Sequence, residues 1–580
     1  MKLNKIFSMF AATAVVFGLT ACADTDAQYS IPEIDTAQLV STSVNNGAAK
    51  IKRGDITVKV AYDKPVFMSS EKAKEQIQVT GATLVSAHVL GASNEVTIVV
   101  NCPTRETPVT ISYPDGLVLN SQGKPAPGTT VNFTTVNIPT APVAATSANA
   151  TKLYTYLRNN FETKILTGMM APSNGWSTEE ADKVYGWTGH YPAIAGFDYL
   201  HLLSSAEGAW INYGDITPVK NWADNGGIVT IGWHWNVPMF APVSESIDET
   251  VWEGTLNVGG WEQVIQLTAD QFANAKAGQS IIVKVEQDAT QGWWQGSLKN
   301  ASWSDLADGA GVIEMASGAI SYSFPINDDV LAEIQANGLI VGGCNHTIKS
   351  INLGTAGTIY ASTDYSFYKT VTEGEGNDAV TRTNEFDPAE AVVDGTWEND
   401  VVKADLAKLA SYLKLLQQQD IPVLWRPFHE AAGQWFWWGK DAESYKALWI
   451  YTFNYLKAEG LNNLIWVWTS EVGDDDWYPG DEYVDIIGRD IYGKDAETCA
   501  KDYATLSDTY GDHIIALTEC GFSTNGEDTT EIADPTEQWE AGATWGWFMP
   551  WYSADEHAPQ SWWEKFLNDS RIVWRDGVNF

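Results

Sequence analysis

Apolar and polar positions alternate in short runs along residues 31–137, a pattern that predicts strands with one buried and one solvent-facing side. Turn sequences such as YPDG and SQGKPAPG separate the runs. The pattern predicts an antiparallel, immunoglobulin-like β-sandwich, and because it carries no site chemistry we expect it to act as a spacer. The positions expected to face its core are Ile56, Val58, Val60, Tyr62, Val96, Ile98, Val100, Val109, Ile111, Tyr113, Val131 and Phe133.

The pattern changes after residues 138–151, which are rich in Pro, Ala, Ser and Thr and which we interpret as a linker. From residue 152 to 580, apolar runs alternate with stripes of helical spacing. One stripe covers 402–416, and a second covers 445–456 and is stopped by Gly460. The eight apolar runs are 165–170, 192–200, 226–235, 421–430, 463–470, 484–493, 513–521 and 544–552. Eight strands alternating with helices predict a (β/α)8 barrel.

The connection between the third and fourth predicted barrel strands is much longer than a barrel needs. Within it, residues 245–355 again show strand-like runs, so we expect a β-sandwich inserted after the third strand. Its tryptophans make this insert resemble a carbohydrate-binding module, although the same indoles could instead form its own core. They are Trp252, Trp261, Trp293, Trp294 and Trp303.

The charge and aromatic content narrow the range of ligands. The 580 residues include 74 acidic and 35 basic side chains, for a net charge of −39. This charge argues against nucleic acid or an anionic membrane surface as a partner, because both would be repelled. The chain also contains 27 Trp, 23 Tyr and 19 Phe. Since the apolar face of a sugar ring stacks on an aromatic ring, this composition favours a neutral sugar ligand.

The first 22 residues have the form of a bacterial secretion signal, in which Lys2 and Lys5 precede an apolar run that ends in Leu-Thr-Ala-Cys. This ending resembles a lipoprotein processing site. We therefore expect a monomer anchored by a lipid on Cys22 to the outer membrane, at the cell surface or on the periplasmic side. The other cysteines show no metal-binding spacing, and whether Cys499 and Cys520 pair is left open.

Polar residues cluster at the carboxyl ends of the predicted barrel strands, where barrels carry their sites. Glu430 follows the fourth strand and Glu519 lies on the seventh, so the two should face each other across the barrel mouth. Opposed carboxyl groups suit retaining glycoside hydrolysis, with one as general acid and the other as nucleophile. Arg426 is expected either to pair with an acid of the site or to form a purely structural ion pair. The other residues at these ends are His234, His429, Asp490, Tyr492, Trp547 and Trp551.

Three motifs, WRPFHE, WFWWG and LTECG, resemble those of glycoside hydrolase family 26, whose founding activity is β-mannanase. The resemblance covers about residues 150–238 and 360–580. It implies that Glu430 is the acid/base and that Glu519 is the nucleophile.

The same resemblance implies roles for further side chains. His429 would orient the sugar or a carboxylate, and His234 would hydrogen-bond near the cleavage point. Tyr492 would donate to the nucleophile, and Trp435 would stack on a sugar. The remaining implied cleft residues are Asp490 and Trp551.

Together these features predict a retaining endo-β-1,4-mannanase, acting on galactomannan or glucomannan without a metal or organic cofactor. The resemblance favours mannan, which dominates the family, because His234 stands in a GWHW setting typical of its mannanases. Three alternatives stay open: a hydrolase of β-1,3-xylan or mixed-linkage glucan, an exo-acting mannobiohydrolase, and a glycan-binding lipoprotein without catalysis. The indoles near Glu430 are expected to form a dry, sugar-stacking surface that raises the pKa of this residue. The GDDD sequence at 473–476 could bind calcium but is more often a solvated loop.

Overall fold

The computed structural model describes residues 31–203, 211–307, 309, 311–316, 318–358, 360, 362–374, 379–525 and 528–580. The predicted signal peptide, with Cys22, lies outside the described residues. The chain divides into two compact units, Met1–Val136 and Asn137–Phe580. Cys499 and Cys520, whose pairing was left open, are buried free thiols. Among the described helices, none is both long and apolar enough to span a membrane.

The N-terminal unit consists of two four-stranded sheets that share one apolar core. The side chains predicted to face this core are all buried, because period-two alternation places them on the inner side of each strand. One sheet has the strand order Leu39–Thr42, Gly54–Tyr62, Glu95–Cys102 and Thr83–Val89; the other has the order Ala48–Ile51, Thr129–Thr135, Pro108–Tyr113 and Gln78–Thr80. The unit is a β-sandwich, and its role as a spacer stays a prediction.

Eight strands of the second unit form the barrel: β1 (Ile165–Met170), β2 (Ile194–Asp198), β3 (Ile228–Trp233), β4 (Val423–Pro427), β5 (Leu464–Ser470), β6 (Ile486–Tyr492), β7 (Ile514–Gly521) and β8 (Trp547–Pro550). Each pairs in parallel with the next, and β1 closes the barrel by pairing with both β2 and β8. Nearly all their residues are buried, because a parallel barrel covers both faces of its sheet. The predicted fold class is confirmed.

Both predicted helical stripes form helices, Trp397–Gln417 before β4 and Ala442–Ala458 after it. The side chains of Thr396 and Asp441 accept a hydrogen bond from the first turn of each helix and so fix where it begins. Gly460, with a φ of 82°, follows the second helix. The other helices of the barrel region are Ala148–Asn160, Glu179–Thr188, Thr217–Asp224, Ala496–Thr509, Pro535–Ala541, Ala554–His557 and Gln560–Glu564.

Between β3 and β4, residues 246–355 form a second β-sandwich with a core of its own. One sheet has the order Ser246–Val258, His346–Thr355, Ser280–Gln287 and Ser321–Pro325; the other has Ile265–Leu267, Leu339–Cys344, Trp294–Lys299 and Val312–Met315, and a helix spans Asp328–Asn337. Its tryptophans divide into two groups. Trp294 is buried in the core and Trp252 packs against it, whereas the other three are about half exposed. The core interpretation therefore holds for Trp252 and Trp294 but not for the other three, and sugar binding by the insert stays a prediction.

The chain returns from the insert along the carboxyl end of the barrel. Tyr365–Ser366 pairs with Val237–Pro238, which follows β3 closely. Beyond it, Thr370–Glu373 pairs with Val380–Thr383. The insert therefore leaves and rejoins the barrel at the end where its strands carry polar residues.

Candidate active site

The loop that follows β4 has a strained backbone. Phe428 and Glu430 have φ angles of 54° and 51°, in a region that costs a residue with a side chain roughly 1–3 kcal/mol. Hydrogen bonds from buried side chains hold this conformation. The indole N–H of Trp438 donates to the carbonyl of His429 at 3.0 Å, and the hydroxyl of Tyr445 donates to the carbonyl of Phe428 at 3.2 Å. Strain that is met by dedicated donors at one loop marks a candidate functional site.

The tryptophans of this region play two different parts. Trp435 is 43% exposed, and its Nε1–H donates to Oε2 of Glu430 at 3.1 Å. A Cβ at Gly433 would lie 2.0 Å from the indole of Trp435, so glycine is required where the ring folds back. The buried indoles that brace the barrel are Trp425, Trp437 and Trp438. The expectation of a shared stacking surface is therefore wrong for three of these four rings, because they face the core.

Three carboxyl groups, called here the carboxyl cluster, meet at the barrel mouth. One oxygen from each of Glu430, Asp490 and Glu519 lies within 4.8 Å of the others. A register shift between β6 and β7 sets Asp490 opposite Glu519, and such a bulge re-aims side chains beside a site. Two unit charges at this separation repel by about 3.5 kcal/mol at an effective dielectric constant of about 20, so three bare carboxylates would not all stay ionised.

Arg426 supplies a positive charge to the cluster from β4. Its Nη1–H donates to Oε1 of Glu519 at 2.6 Å, and its Nη2–H donates to Oδ2 of Asp490. Its Nε–H donates to Oγ1 of Thr469 at 2.9 Å, which fixes the plane of the guanidinium. Burial lowers the pKa of Arg426, but the charges of Asp490 and Glu519 outweigh it and raise this pKa above its ordinary value. The predicted pairing of Arg426 with acids of the site is confirmed.

The surroundings place a proton on Glu430 and negative charge on Glu519. Burial, followed by the charges of Asp490 and Glu519, raises the pKa of Glu430 to about 10. Glu519 accepts on both oxygens, from Arg426 at Oε1 and from the Tyr492 hydroxyl at Oε2, 2.9 Å away. Such donors stabilise a carboxylate. Burial and the charge of Glu519 raise the pKa of Tyr492 well above its ordinary value, so this phenol stays a donor.

Asp490 behaves as an ionised partner of Arg426. Burial raises the pKa of Asp490 to about 8, against the opposing effect of Arg426. Both of its oxygens nevertheless accept hydrogen bonds, Oδ2 from Arg426 and Oδ1 from the hydroxyl of Thr518 at 2.8 Å. Because Arg426 donates to both Asp490 and Glu519, and because the pKa of Glu430 is raised further than that of Asp490, the proton of the carboxyl cluster resides on Glu430.

Two histidines lie beside the cluster, with ring centroids 4.4 Å apart. Nδ1 of His234 lies 2.6 Å from Oδ2 of Asp198, and the backbone N–H of His234 donates to Oδ1 of Asp198 at 3.0 Å. Asp198 thus fixes both the ring and the main chain of His234. Burial, followed by the charges of His234 and Arg426, lowers the pKa of His429 well below its ordinary value. Nε2 of this neutral ring lies 3.7 Å from Oε1 of Glu519.

A pocket of about 120 Å³ opens between the ends of β1, β2, β3 and β8. Its wall includes Asp198, His234, Phe367, Tyr368, Trp551 and Tyr552. The ring of Trp551 lies 5.6 Å from that of His234, so this predicted cleft residue belongs to the pocket. A concave space lined by aromatic rings and a few polar groups beside reactive carboxyls is suited to a small ligand or one unit of a polymer.

Tyr368 is a site residue that the sequence did not reveal. It is 47% exposed, and burial followed by the charge of Glu430 raises its pKa, which places its phenol in the field of that acid. Its backbone bridges to Phe436, and the N–H of Lys369 donates to the carbonyl of Trp435 at 2.8 Å. The return segment of the insert therefore braces the loop that carries Trp435. No hydrophobic periodicity could have identified Tyr368, because it lies in the irregular segment between the insert and β4 and not at the end of a barrel strand.

Most predicted site residues lie at the carboxyl end of the barrel, namely His234, His429, Glu430, Trp435, Asp490, Tyr492, Glu519 and Trp551. Trp547 is an exception and its assignment to that end is wrong, because it begins β8 and is buried. Asp198 was missed. Glu519 was identified as an acidic residue near the end of an apolar run. Asp198 stands in the same way at the end of β2, so the same signal was present there.

The GDDD sequence forms part of a turn after β5. Oδ1 of Asp474 accepts from the hydroxyl of Ser470 at 2.9 Å, and Oδ2 accepts from the backbone N–H of Glu471 at 2.6 Å. This carboxylate therefore serves the turn itself. Among the described residues, the acids that converge as cation ligands are those of the carboxyl cluster, where Arg426 already supplies positive charge.

A (β/α)8 barrel with facing glutamates at the ends of β4 and β7 defines a class, the barrel glycoside hydrolases. The chain belongs to glycosyl hydrolase family 26, whose sequence model matches residues 143–289 and 354–576. The unmatched stretch between these ranges lies within the insert.

Relatives of known name share parts of the chain. Mannan endo-1,4-beta-mannosidase B of Piromyces sp is 35% identical over 192 residues, which are 33% of this chain and 29% of that protein. Mannan endo-1,4-beta-mannosidase of Bacillus subtilis (strain 168) is 43% identical over 114 residues, 17% of this chain and 32% of that protein. The matches thus span about a third of these curated relatives or less. The GH26 domain of a Prevotella bryantii endo-beta-mannanase/endo-beta-glucanase is 32% identical and covers 76% of this chain and 100% of that one, with a TM-score of 0.49.

Proposed function

We propose that the protein is a retaining endo-β-1,4-mannanase that cleaves galactomannan or glucomannan. The observation that carries the proposal is the approach of the Glu430 and Glu519 carboxyl oxygens to within 4.8 Å. Retaining glycosidases hold their two carboxyl groups roughly 5–5.5 Å apart, whereas inverting enzymes need about 6.5–9.5 Å to admit a water molecule. An approach of single oxygens to within 4.8 Å is compatible with the retaining separation and leaves little room for the water molecule of an inverting enzyme.

In the first step, the Glu519 carboxylate attacks the anomeric carbon. The bond from that carbon to the glycosidic oxygen breaks as Glu430 gives this oxygen its proton. Arg426 and Tyr492 hold the attacking carboxylate throughout. Trp435, exposed and bonded to Glu430, offers a ring on which a sugar next to the cleaved bond can stack. The products are a glycosyl ester on Glu519 and a departing chain that carries the proton.

In the second step, water replaces the ester. Formation of the ester removes the charge of Glu519, which is one of the causes that raise the pKa of Glu430. Glu430 is therefore tolerated as a carboxylate and takes a proton from the water molecule. The water oxygen attacks the anomeric carbon and the ester bond breaks, so Glu519 regains its charge and Glu430 its proton. Two inversions at one carbon give net retention.

The choice of β-mannan is supported by the names of the relatives. The matching proteins from Piromyces sp and Bacillus subtilis are named mannan endo-1,4-beta-mannosidases. Within the site, His234 and Asp198 supply polar atoms to the pocket beside the cluster, where sugar hydroxyl groups need partners. The rival functions are hydrolysis of β-1,3-xylan or mixed-linkage glucan, exo-acting release of mannobiose, and glycan capture without catalysis.

Product analysis of the chain from residue 23 onward tests the proposal. The substrates are unbranched mannan, galactomannan, β-1,3-xylan and mixed-linkage glucan, with Glu430→Ala and Glu519→Ala as controls. We expect a ladder of mannooligosaccharides whose first-formed anomer is β. Mannobiose alone would mean exo action, and cleavage of another glycan alone would overturn the choice of mannan. A lack of cleavage of all four glycans would overturn the enzymatic proposal.

We also propose that Cys22 carries a lipid that anchors the protein to the outer membrane. The basic start, the apolar run and the Leu-Thr-Ala-Cys ending support this. Labelling of cells with radioactive palmitate checks it. Label should appear in the natural chain and be absent from Cys22→Ser, and label that persists in the variant would refute the anchor.

A further inference from the structure

The inserted sandwich carries indoles that its own core does not use. Trp261 is 45% exposed and Trp293 is 49% exposed, whereas Trp294, the next residue along the chain, is only 8% exposed. Single exposed rings are common on protein surfaces, so the two indoles indicate a binding surface only if they lie together. An indole face accepts the apolar face of a pyranose while the sugar hydroxyl groups stay in water.

The loops that carry Trp261 and Trp293 adjoin at one end of the sandwich. The side chains of two consecutive residues hold them there. Sγ of Cys344 lies 3.6 Å from the carbonyl oxygen of Gly259, two residues before Trp261. Nδ2 of Asn345 donates to the carbonyl of Trp293 at 3.0 Å. Both residues therefore lie at the same end of the module, where each indole is about half exposed.

Hydrogen bonds order the loop that precedes Trp293. The backbone N–H of Asp288 donates to the carbonyl of Asn345 at 3.0 Å. The carbonyl of Asp288 accepts from the indole N–H of Trp294 at 3.0 Å, and its side chain accepts from the hydroxyl of Thr290 at 2.7 Å. A loop ordered before binding presents its exposed ring without a further loss of conformational entropy.

Charge narrows the class of ligand that this end can accept. Residues 245–355 contain fourteen Asp or Glu side chains against four Lys and no Arg. A module with this balance repels nucleic acids, acidic polysaccharides and anionic membranes. A neutral glycan combines the apolar ring faces that indoles bind with the absence of negative charge.

The attachment of the insert indicates which neutral glycan it meets. The insert leaves the barrel close after His234 and returns through the segment whose Tyr368 bridges to Phe436 beside Trp435. A polymer bound by the insert is thereby held at high effective concentration for the barrel. We propose that Trp261 and Trp293 form a second sugar-binding site, which holds the same neutral β-mannan that the barrel cleaves. The choice of this polymer rests on the proposed function.

The test compares the full mature chain with a Trp261→Ala/Trp293→Ala double variant on two substrates. On limiting insoluble mannan, we expect the double variant to bind and cleave about tenfold less well, because two stacking rings are lost. On soluble mannohexaose, kcat/KM should stay unchanged. The matched control is Trp303→Ala, which removes an indole 56% exposed in the turn at the far end of Trp294–Lys299, and it should change neither readout.

Each other outcome overturns the inference. If the double variant bound insoluble mannan as well as the natural chain does, the two indoles would not be binding sugar. A matching loss on mannohexaose would show damage to the barrel. A wild-type dimer that the double variant abolishes in sedimentation, with mannan binding intact, would assign the rings to contacts between copies.

Binding in a Glu519→Ala background separates this inference from the proposed function. Retention on insoluble mannan that depends on the two indoles would support the second site even if the active chain cleaved no mannan. Conversely, mannan cleavage with indole-independent retention would leave the proposed function standing and remove the second site.

Discussion

Glu430 and Glu519 are the same residue type within one cluster, yet their surroundings differ in almost every respect. Glu519 lies on the barrel strand β7, and donors from Arg426 and Tyr492 bond both of its oxygens. Glu430 lies on a strained loop, where the indole N–H of Trp435 donates to one oxygen and the charges that act most strongly on its pKa are those of other acids. The scaffold, through the hydrogen-bond donors and the neighbouring charges that it places around each residue, therefore decides which carboxyl group keeps the proton.

Replacement of each glutamate should expose this difference most strongly. Glu519→Ala should lower kcat on the order of 10⁵-fold with any substrate, because the nucleophile is gone. Glu430→Ala should lower it by about 10²–10⁴-fold on mannan. With a dinitrophenyl β-mannobioside, whose leaving group needs no proton, Glu430→Ala should keep a fast first step. Burst kinetics of dinitrophenol release check this, and equal losses on both substrates would refute the assignment of the acid.

Replacement of Arg426, which bonds both Asp490 and Glu519, should affect both of these acids. Arg426→Met leaves Asp490 and Glu519 as buried charges without their partner. We expect a loss of about 3–5 kcal/mol in the free energy of unfolding and about a 10³-fold loss in kcat. Arg426→Lys keeps the positive charge but loses the planar guanidinium with its several N–H donors. Its stability and its kcat should therefore lie between those of the natural chain and those of Arg426→Met. Urea unfolding and steady-state kinetics measure these effects, and a Met variant as stable as the natural chain would show that Arg426 does not hold the cluster.

A smaller effect is expected when only one hydrogen-bond donor to Glu519 is removed. Tyr492→Phe keeps the ring but loses the 2.9 Å hydrogen bond to Oε2. A hydrogen bond to a charged group is worth about 1.5–3 kcal/mol, so kcat should fall by about 10- to 100-fold. The free energy of unfolding should fall by no more than the value of this one bond, about 1.5–3 kcal/mol. Tyr185→Phe, at an exposed ring on the helix Glu179–Thr188, serves as the control, and a comparable loss of kcat in that variant would undercut the role of Tyr492.

The raised pKa of Glu430 should make the free energy of unfolding depend on pH. A carboxyl group whose pKa is about 10 when folded and about 4.3 when unfolded makes the fold lose stability as pH rises between these values. Glu430→Gln removes that loss, so it should raise the free energy of unfolding by about 1–3 kcal/mol at pH ~8 and hardly at all at pH ~4. Thermal unfolding measures this, with exposed Glu497→Gln as control. An equal gain at both pH values would point to packing instead of ionisation.

The barrel could be predicted because its strands are buried on both faces and so appear as unbroken apolar runs. Each predicted run contains the observed strand. The paired glutamates could be predicted for a related reason, since a charged residue at the end of such a run needs an explanation. The sequence also pointed to Tyr492 and Arg426, although their bonds to Glu519 depend on three different strands meeting.

Other parts of the site could not be predicted because they depend on packing between distant segments. Trp435 and Trp438 are three residues apart in one loop, yet one ring faces solvent and the other holds a backbone carbonyl. Tyr368 follows the insert in the chain, so its position in the sequence gives no sign that it lies at the site. The register shift that sets Asp490 opposite Glu519 leaves no mark in either strand's hydrophobic pattern.

The most direct test of the account is the protonation state of Glu430, followed through its carboxyl C=O band by infrared difference spectroscopy as the pH is raised. Glu430→Gln identifies the band, and Glu519→Gln removes the neighbouring charge while keeping its shape. We expect Glu430 to keep its proton through neutral pH, and we expect its pKa to fall by about two units in Glu519→Gln. A Glu430 that ionises at an ordinary carboxyl value in the natural chain, or whose pKa is unmoved in Glu519→Gln, would contradict the account.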